Sequence, residues 1–188
     1  MNIAQELARY ASIMEQKGYV NSLEGNLSII DRENGLTYIT PSGRMKLDMD
    51  PEQICVLDAS GEQIGGKGKR SSEFFLHEAV YKARPDVNAV IHSHCPYLTA
   101  YALRYEDFIP GSDCFLGQLF PKMTCLPYGE HGTHQIHQGI EDALKNSPLC
   151  LLGGHGVVCA AASMEACAGI LEAIENLAKT LYIARNMD

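Results

Sequence analysis

Between residues 26 and 57 the chain carries three short segments rich in β-branched residues, Asn26-Leu-Ser-Ile-Ile, Leu36-Thr-Tyr-Ile-Thr and Gln53-Ile-Cys-Val-Leu, with turn residues at Glu33-Asn-Gly, Pro41-Ser-Gly and Ser60-Gly. Such residues fit a pleated, half-buried surface, and the turn chemistry between them favours hairpins, so the segments read as an antiparallel meander. A sheet begun this way needs other elements to cover it. Before it, Ile3 to Lys17 places apolar residues at 3, 7, 8, 11, 13 and 14, the pattern of an amphipathic helix ended by Gly18. After it, Glu73 to Ala83 reads as a helix capped by Ser71 or Ser72 and stopped by Arg84-Pro85. Val87 to Ser93 then reads as a buried strand, Pro96 to Arg104 as a helix, Met123 to Leu126 as a strand and Thr133 to Lys145 as a helix. Leu149 to Leu152 and Val157 to Ala160 follow as strands, and Ser163 caps a final helix reaching about Ala184. The residues alone leave two architectures open, α+β or a three-layer α/β/α domain.

The chain has 188 residues, 46% hydrophobic and 20% charged, which suits one domain over 1–188 with its own core. A net charge of -8 repels phosphate backbones, and Lys67 to Arg70 is too small a basic patch to act against it, so no nucleic-acid partner is expected. No apolar stretch approaches the roughly 20 residues that cross a bilayer. The first residues lack a basic region followed by an apolar core, so a cytoplasmic protein without a membrane partner is expected. Seven scattered cysteines with no Cys-x-x-Cys read as reduced, mostly buried small hydrophobes.

Some motifs mislead. Gly61-Glu-Gln-Ile-Gly-Gly66-Lys67 is close to a phosphate-binding loop, but Gly68 stands where a Ser or Thr should hold magnesium, and a glycine-rich hairpin turn explains it better. His77-Glu78 begins like a zinc-protease helix, yet Tyr81 occupies the place of the second histidine. His131, His134 and His137 read as a polar helix end, with His131 in a loop that could reach a site.

Ala89-Val-Ile-His92-Ser-His94 is more informative, because two histidines one residue apart point their rings to the same side at the end of an apolar strand. Alone, the pair suits either a transition metal or two polar residues at a strand end. Gly153-Gly-His155-Gly156 offers a third imidazole in a turn where core packing does not explain it. Three neutral imidazoles would leave an open coordination position, as in catalytic zinc sites. Glu73 stands at a helix start, where it is either a partner of the helix dipole or part of this site. Ser71 and Ser72 beside it, with the turns Glu24-Gly-Asn26 and Thr40-Pro-Ser42-Gly43, supply the hydroxyls and small exposed backbone of an anion pocket.

Gly25-Asn26-Leu-Ser28, Thr40-Pro-Ser-Gly43, Ser71-Ser-Glu73, Arg84 through His94, Pro127 through Thr133 and His155-Gly156 resemble, in order and spacing, the class II aldolase/adducin family, nearest its branch that cleaves L-fuculose 1-phosphate. The resemblance covers nearly the whole chain. It implies an α/β fold, a three-layer α/β/α sandwich around a largely antiparallel central sheet, and a homotetramer. It further implies one zinc ion per chain on His92, His94 and His155, with Glu73 as the catalytic acid/base, and Asn26, Ser42, Gly43, Ser71 and Ser72 holding the substrate phosphate. The reaction implied is reversible retro-aldol cleavage of a ketose phosphate to dihydroxyacetone phosphate and an aldehyde, through an enediolate that the metal stabilises as a Lewis acid.

Two features depart from that pattern. In the fuculose branch a tyrosine after an Ile-Pro pair reaches into the neighbouring subunit's site, whereas after Ile109-Pro110 this chain has Gly-Ser-Asp113-Cys114, which leaves the second proton donor unassigned. The chain given also ends at Asp188, where that branch continues into a closing tail. Family members that epimerise pentulose 5-phosphates, or that dehydrate or decarboxylate sugar phosphates, share the metal and phosphate residues. The adducin branch, an interaction module, lacks the metal histidines that stand here.

Overall fold

The computed structural model describes residues 1–130 and 132–187. The meander forms as its turns require. β1 (Asn26–Asp31) pairs antiparallel with β2 (Leu36–Ile39), and β2 with β3 (Cys55–Leu57). β3 then pairs with the short edge strand β4 (Gln63–Gly65), so the glycine-rich segment after Gly61 is not merely a hairpin turn: its middle joins the sheet. On its other side β1 pairs with β5 (Ala89–Ser93), which pairs with β8 (Gly156–Ala161); β8 pairs with β7 (Leu149–Leu152), and β7 with β6 (Cys125–Leu126). Only β6 and β7 are parallel among the described strands.

Alternation along the strands sorts the core into two layers. Ala89 and Ile91 of β5 pack with Leu27 and Ile29 of β1 beneath α1 (Ile3–Gln16), α3 (Pro96–Arg104) and α6 (Met164–Arg185). Val90, between them in sequence, faces the other way, against Leu76 and Val80 of α2 (Phe74–Ala83) and Leu144 of α5 (Ile140–Leu144). Helices on both faces make a three-layer α/β/α sandwich. One buried contact also fixes where the histidine strand ends. The Glu175 carboxylate on α6 accepts the backbone N–H groups of Tyr97 and Leu98 at 2.8 and 2.9 Å, satisfying donors that the first turn of α3 would leave orphaned just after His94.

Several expected elements change. Neither Ser71 nor Ser72 caps α2: the cap is Glu73, with no side-chain bond of its own to the helix, and the Ser71 hydroxyl accepts the Glu73 N–H at 3.2 Å. The helix expected over Thr133 to Lys145 divides into a 3-10 turn (His134–His137) and α5, because Gly139 at φ +86° adopts a conformation that ends right-handed helix. Met123 joins no strand and instead exchanges backbone hydrogen bonds with Phe108 at 3.0 and 2.9 Å. A five-residue helix, α4 (Phe115–Leu119), stands where no element was expected. All seven cysteines are unpaired, and five are buried. No helix among the described residues is long and apolar enough to cross a membrane.

Candidate active site

Register places His92 opposite Asn26 of β1 and Val158 of β8, with its side chain on the α2 face of the sheet. It is fully buried, and its Nδ1–H donates to the Val157 carbonyl at 2.9 Å. That bond fixes the ring and turns Nε2 toward the cleft. His94, just past the strand end, sets its Nε2 3.2 Å from the Nε2 of His92. Burial, reinforced by His92, pulls His94 down to about 4, so its ring is neutral, the form that binds a metal. His155 enters from the turn between β7 and β8, and the three ring centroids are 4.8 to 4.9 Å apart. Gly156 makes this approach possible: a Cβ there would stand 2.6 Å from the Ser93 carbonyl and 3.3 Å from the His92 ring.

Glu73 closes the cluster. Its Oε2 lies 3.5 Å from His92 Nε2 and its Oε1 3.4 Å from His155 Nε2. Burial alone would raise this carboxyl; the facing His92, the hydrogen bond from Asn26 and the facing His155 outweigh it and leave the group below its ordinary value. Carboxylate oxygens and imidazole nitrogens of His92 and His155 thus converge on one point, where a cation would find them as ligands or close neighbours. The 3.2 Å nitrogen separation is close to the roughly 3.3 Å expected when two imidazoles share a tetrahedral zinc ion. The candidate ligand atoms of all three histidines lie within 4.8 Å of one another, so the donor set fits a transition metal.

Beside the cluster opens a cavity of about 340 Å³, and Asn26, Ser42, Gly43, Ser71 and Ser72 all line it together with Glu73, His94 and His155. The Asn26 side chain bridges inward, its Nδ2 donating to Glu73 at 2.7 Å. Lys46 also lines this cavity, and the motif reading missed it. It is 2% exposed, and its ammonium donates to the Asn21 carbonyl. Burial lowers its pKa, while Glu15 and Glu73 pull the other way. Nothing in the sequence marks it, since it stands among residues of an exposed loop three beyond Gly43. His77 was missed too: fully buried, it bonds to both Asn26 and Ser28. Its signal was available, because Glu73, His77 and Tyr81 recur every four residues and share one face of a helix.

Other candidates fall elsewhere. Asp113 is exposed, Cys114 caps α4 by accepting the Gly117 N–H, and neither lines the cavity. His134, exposed, and His137, half-buried, stand side by side on the 3-10 turn, and His131 lies outside the described residues.

Residues 5–182 match the domain family described as Class II Aldolase and Adducin N-terminal domain. A 5-deoxy-D-ribulose 1-phosphate aldolase of Bacillus thuringiensis serovar kurstaki is 32% identical over 97% of this chain and 85% of its own length. A 3-oxo-tetronate 4-phosphate decarboxylase of Escherichia coli O6:H1 is 28% identical over 97% of this chain and 87% of its own. Among solved structures, an L-fuculose 1-phosphate aldolase superposes with a TM-score of 0.90 at 29% identity, covering 98% of this chain and 86% of that one.

Proposed function

The chain belongs to the class II aldolase and adducin family and is an enzyme of the lyase type, and from that premise we propose that residues 1–188 form one zinc-dependent domain that cleaves a ketose phosphate reversibly to dihydroxyacetone phosphate and an aldehyde. One observation carries the reading: a carboxylate lies between a three-imidazole cluster and a cavity lined by hydroxyls and a buried ammonium. His92, His94 and His155 would hold the ion, which when bound supplies Lewis acidity toward adjacent oxygens of the substrate. Ser42, Gly43, Ser71, Ser72 and Asn26 bind the phosphate, with Lys46 as the positive charge facing a dianion. Glu73 moves the proton at the carbon that becomes nucleophilic, a role suited to a carboxylate between phosphate and metal. The protein acts as a cytoplasmic homotetramer, a reading supported by the resemblance and by the exposed apolar side chains of Ile109, Phe115 and Leu119.

The test offers dihydroxyacetone phosphate with a panel of aldehydes to the purified protein and measures carbon–carbon bond formation alongside metal content. Condensation with at least one aldehyde, and about one zinc per chain, are the expected results. Lys46 favours a second reading, decarboxylation of a keto-acid sugar phosphate, since a buried ammonium can also face a carboxylate. Release of carbon dioxide from such an acid, without condensation in the panel, would select it.

A further inference from the structure

Behind Glu73 lies a run of buried polar side chains of which the chemistry above uses only Asn26. Asn26 Nδ2 is 2.7 Å from Glu73 Oε2, and Asn26 Oδ1 is 2.5 Å from His77 Nε2. His77 Nδ1 is 2.6 Å from Ser28 Oγ, which is 2.7 Å from the Tyr81 hydroxyl. The ladder follows from spacing: Asn26 and Ser28, two apart on β1, share a face of the sheet, and it meets His77 and Tyr81, four apart on α2.

The donors can be assigned one after another, starting from the carboxylate. The Asn26 amide nitrogen faces Glu73 and donates to it, while its carbonyl oxygen, which only accepts, faces His77. His77 therefore carries its proton on Nε2. It is fully buried, and burial with the nearby His92 pulls it down to about 3, so the ring is neutral and Nδ1 is a bare acceptor. The Ser28 hydroxyl must then donate to Nδ1, which leaves the Tyr81 hydroxyl to donate to Ser28.

We propose that Tyr81, Ser28, His77 and Asn26 form a one-way hydrogen-bond chain ending on Glu73, with His77 as the positioning residue that sets its direction. Every hydrogen points toward the carboxylate, so the chain orients Glu73, and the neutral Nε2–H form of His77 keeps Asn26 from presenting its carbonyl oxygen to Glu73 instead. Its catalytic consequence rests on Glu73 acting as the acid/base group of the proposed aldolase.

Two measurements test this separately. In the purified protein labelled with nitrogen-15 histidine, long-range nitrogen–proton NMR correlations at neutral pH should show His77 neutral and protonated on Nε2; an Nδ1–H or doubly protonated ring overturns the chain whatever the reaction is. The second arm is kinetic: exchange of a hydroxymethyl hydrogen of dihydroxyacetone phosphate with deuterated solvent. His77→Asn, whose amide reaches only the Nδ1 position, should lower kcat by ~10–100-fold with KM little changed. His77→Gln, whose amide nitrogen can stand at Nε2, should restore most of that loss. Equal losses in the two variants, or a change confined to KM, overturn the proposal. Should His77→Asn fail to fold by circular dichroism, Tyr81→Phe removes only the outermost hydroxyl, and an unchanged kcat there overturns it equally. A parent protein that neither exchanges nor condenses sinks the aldolase reading, while the NMR result still decides the chain.

Discussion

The two regions that flank the His155 turn are built in different ways, β5 and β8 on one side and the segment carrying Tyr105 and Tyr128, which pack close to Gly154, on the other. Every residue of β5 and β8 is buried, and five consecutive register pairs from Ala89–Ala161 to Ser93–Val157 tie the strands together beneath His92 and His155. The described residues between 105 and 139 instead form a five-residue helix, a two-residue strand, one isolated bridge and a 3-10 turn, and Ile109, Phe115, Leu119 and Tyr128 are each more than half exposed. The first flank is preorganised by backbone pairing within one chain, so its imidazoles meet without help. The second carries apolar surface that its own chain does not cover, and the proposed tetramer gives that surface its cover.

The largest effect should come from the rigid flank. His94→Ala should remove both metal and activity while leaving the fold in place; metal analysis showing a full complement in that variant would reject the three-histidine assignment. Next comes Glu73→Gln, which should keep the metal and still lose ~10²–10⁴-fold in turnover. Its solvent deuterium exchange into dihydroxyacetone phosphate should fall in step, and exchange at the parent rate would reduce Glu73 to a helix-start carboxylate. Lys46→Met should raise KM for phosphorylated substrates by ~10–100-fold, the loss of a charged hydrogen bond, and leave binding of an unphosphorylated analogue unchanged.

The irregular flank is probed by Phe115→Asp combined with Leu119→Asp, which should shift the light-scattering mass of a tetramer toward smaller species and lower activity at nanomolar concentration. Retention of the parent mass would make the contrast between the flanks one of regularity alone. The smallest effect is a pH slope at the network behind the site. An unfolded histidine takes up its proton near 6.5, whereas burial, aided by His92, holds His77 down to about 3. The unfolded chain therefore binds more protons in this window, and stability falls as the pH drops through it, by up to about 1.4 kcal/mol per pH unit. Urea denaturation of His77→Gln over roughly pH 6 to 4 should show a shallower fall than the parent.

The same contrast explains what could be read in advance. Val87 to Ser93, Pro96 to Arg104 and the Ser163-capped helix carry clear periodicity and stop signals, and they form nearly where expected. Thr133 to Lys145 also looks helical, but Gly139 at positive φ divides it, and α4 left no periodic trace in its five residues. Local pattern fails there because neither piece is long enough for its own sequence to outweigh the turns around it.

At the site the division is equally physical. His92, His94, His155 and Glu73 could be picked out from the chain because imidazoles at a strand end and in a glycine turn, and a carboxylate beside two serines, are chemically unusual where they stand. Periodicity also dictated that His92 and Val90 share a face. What no local pattern contained was which distant groups would meet them. Lys46 became a buried cation only when its loop folded over α1 and Glu15 accepted its backbone N–H. His77 became part of a hydrogen-bond chain only when α2 packed on β1 and brought Asn26 and Ser28 within reach. Burial and donor direction arise from contacts between segments far apart in sequence, so they exist only in the folded chain.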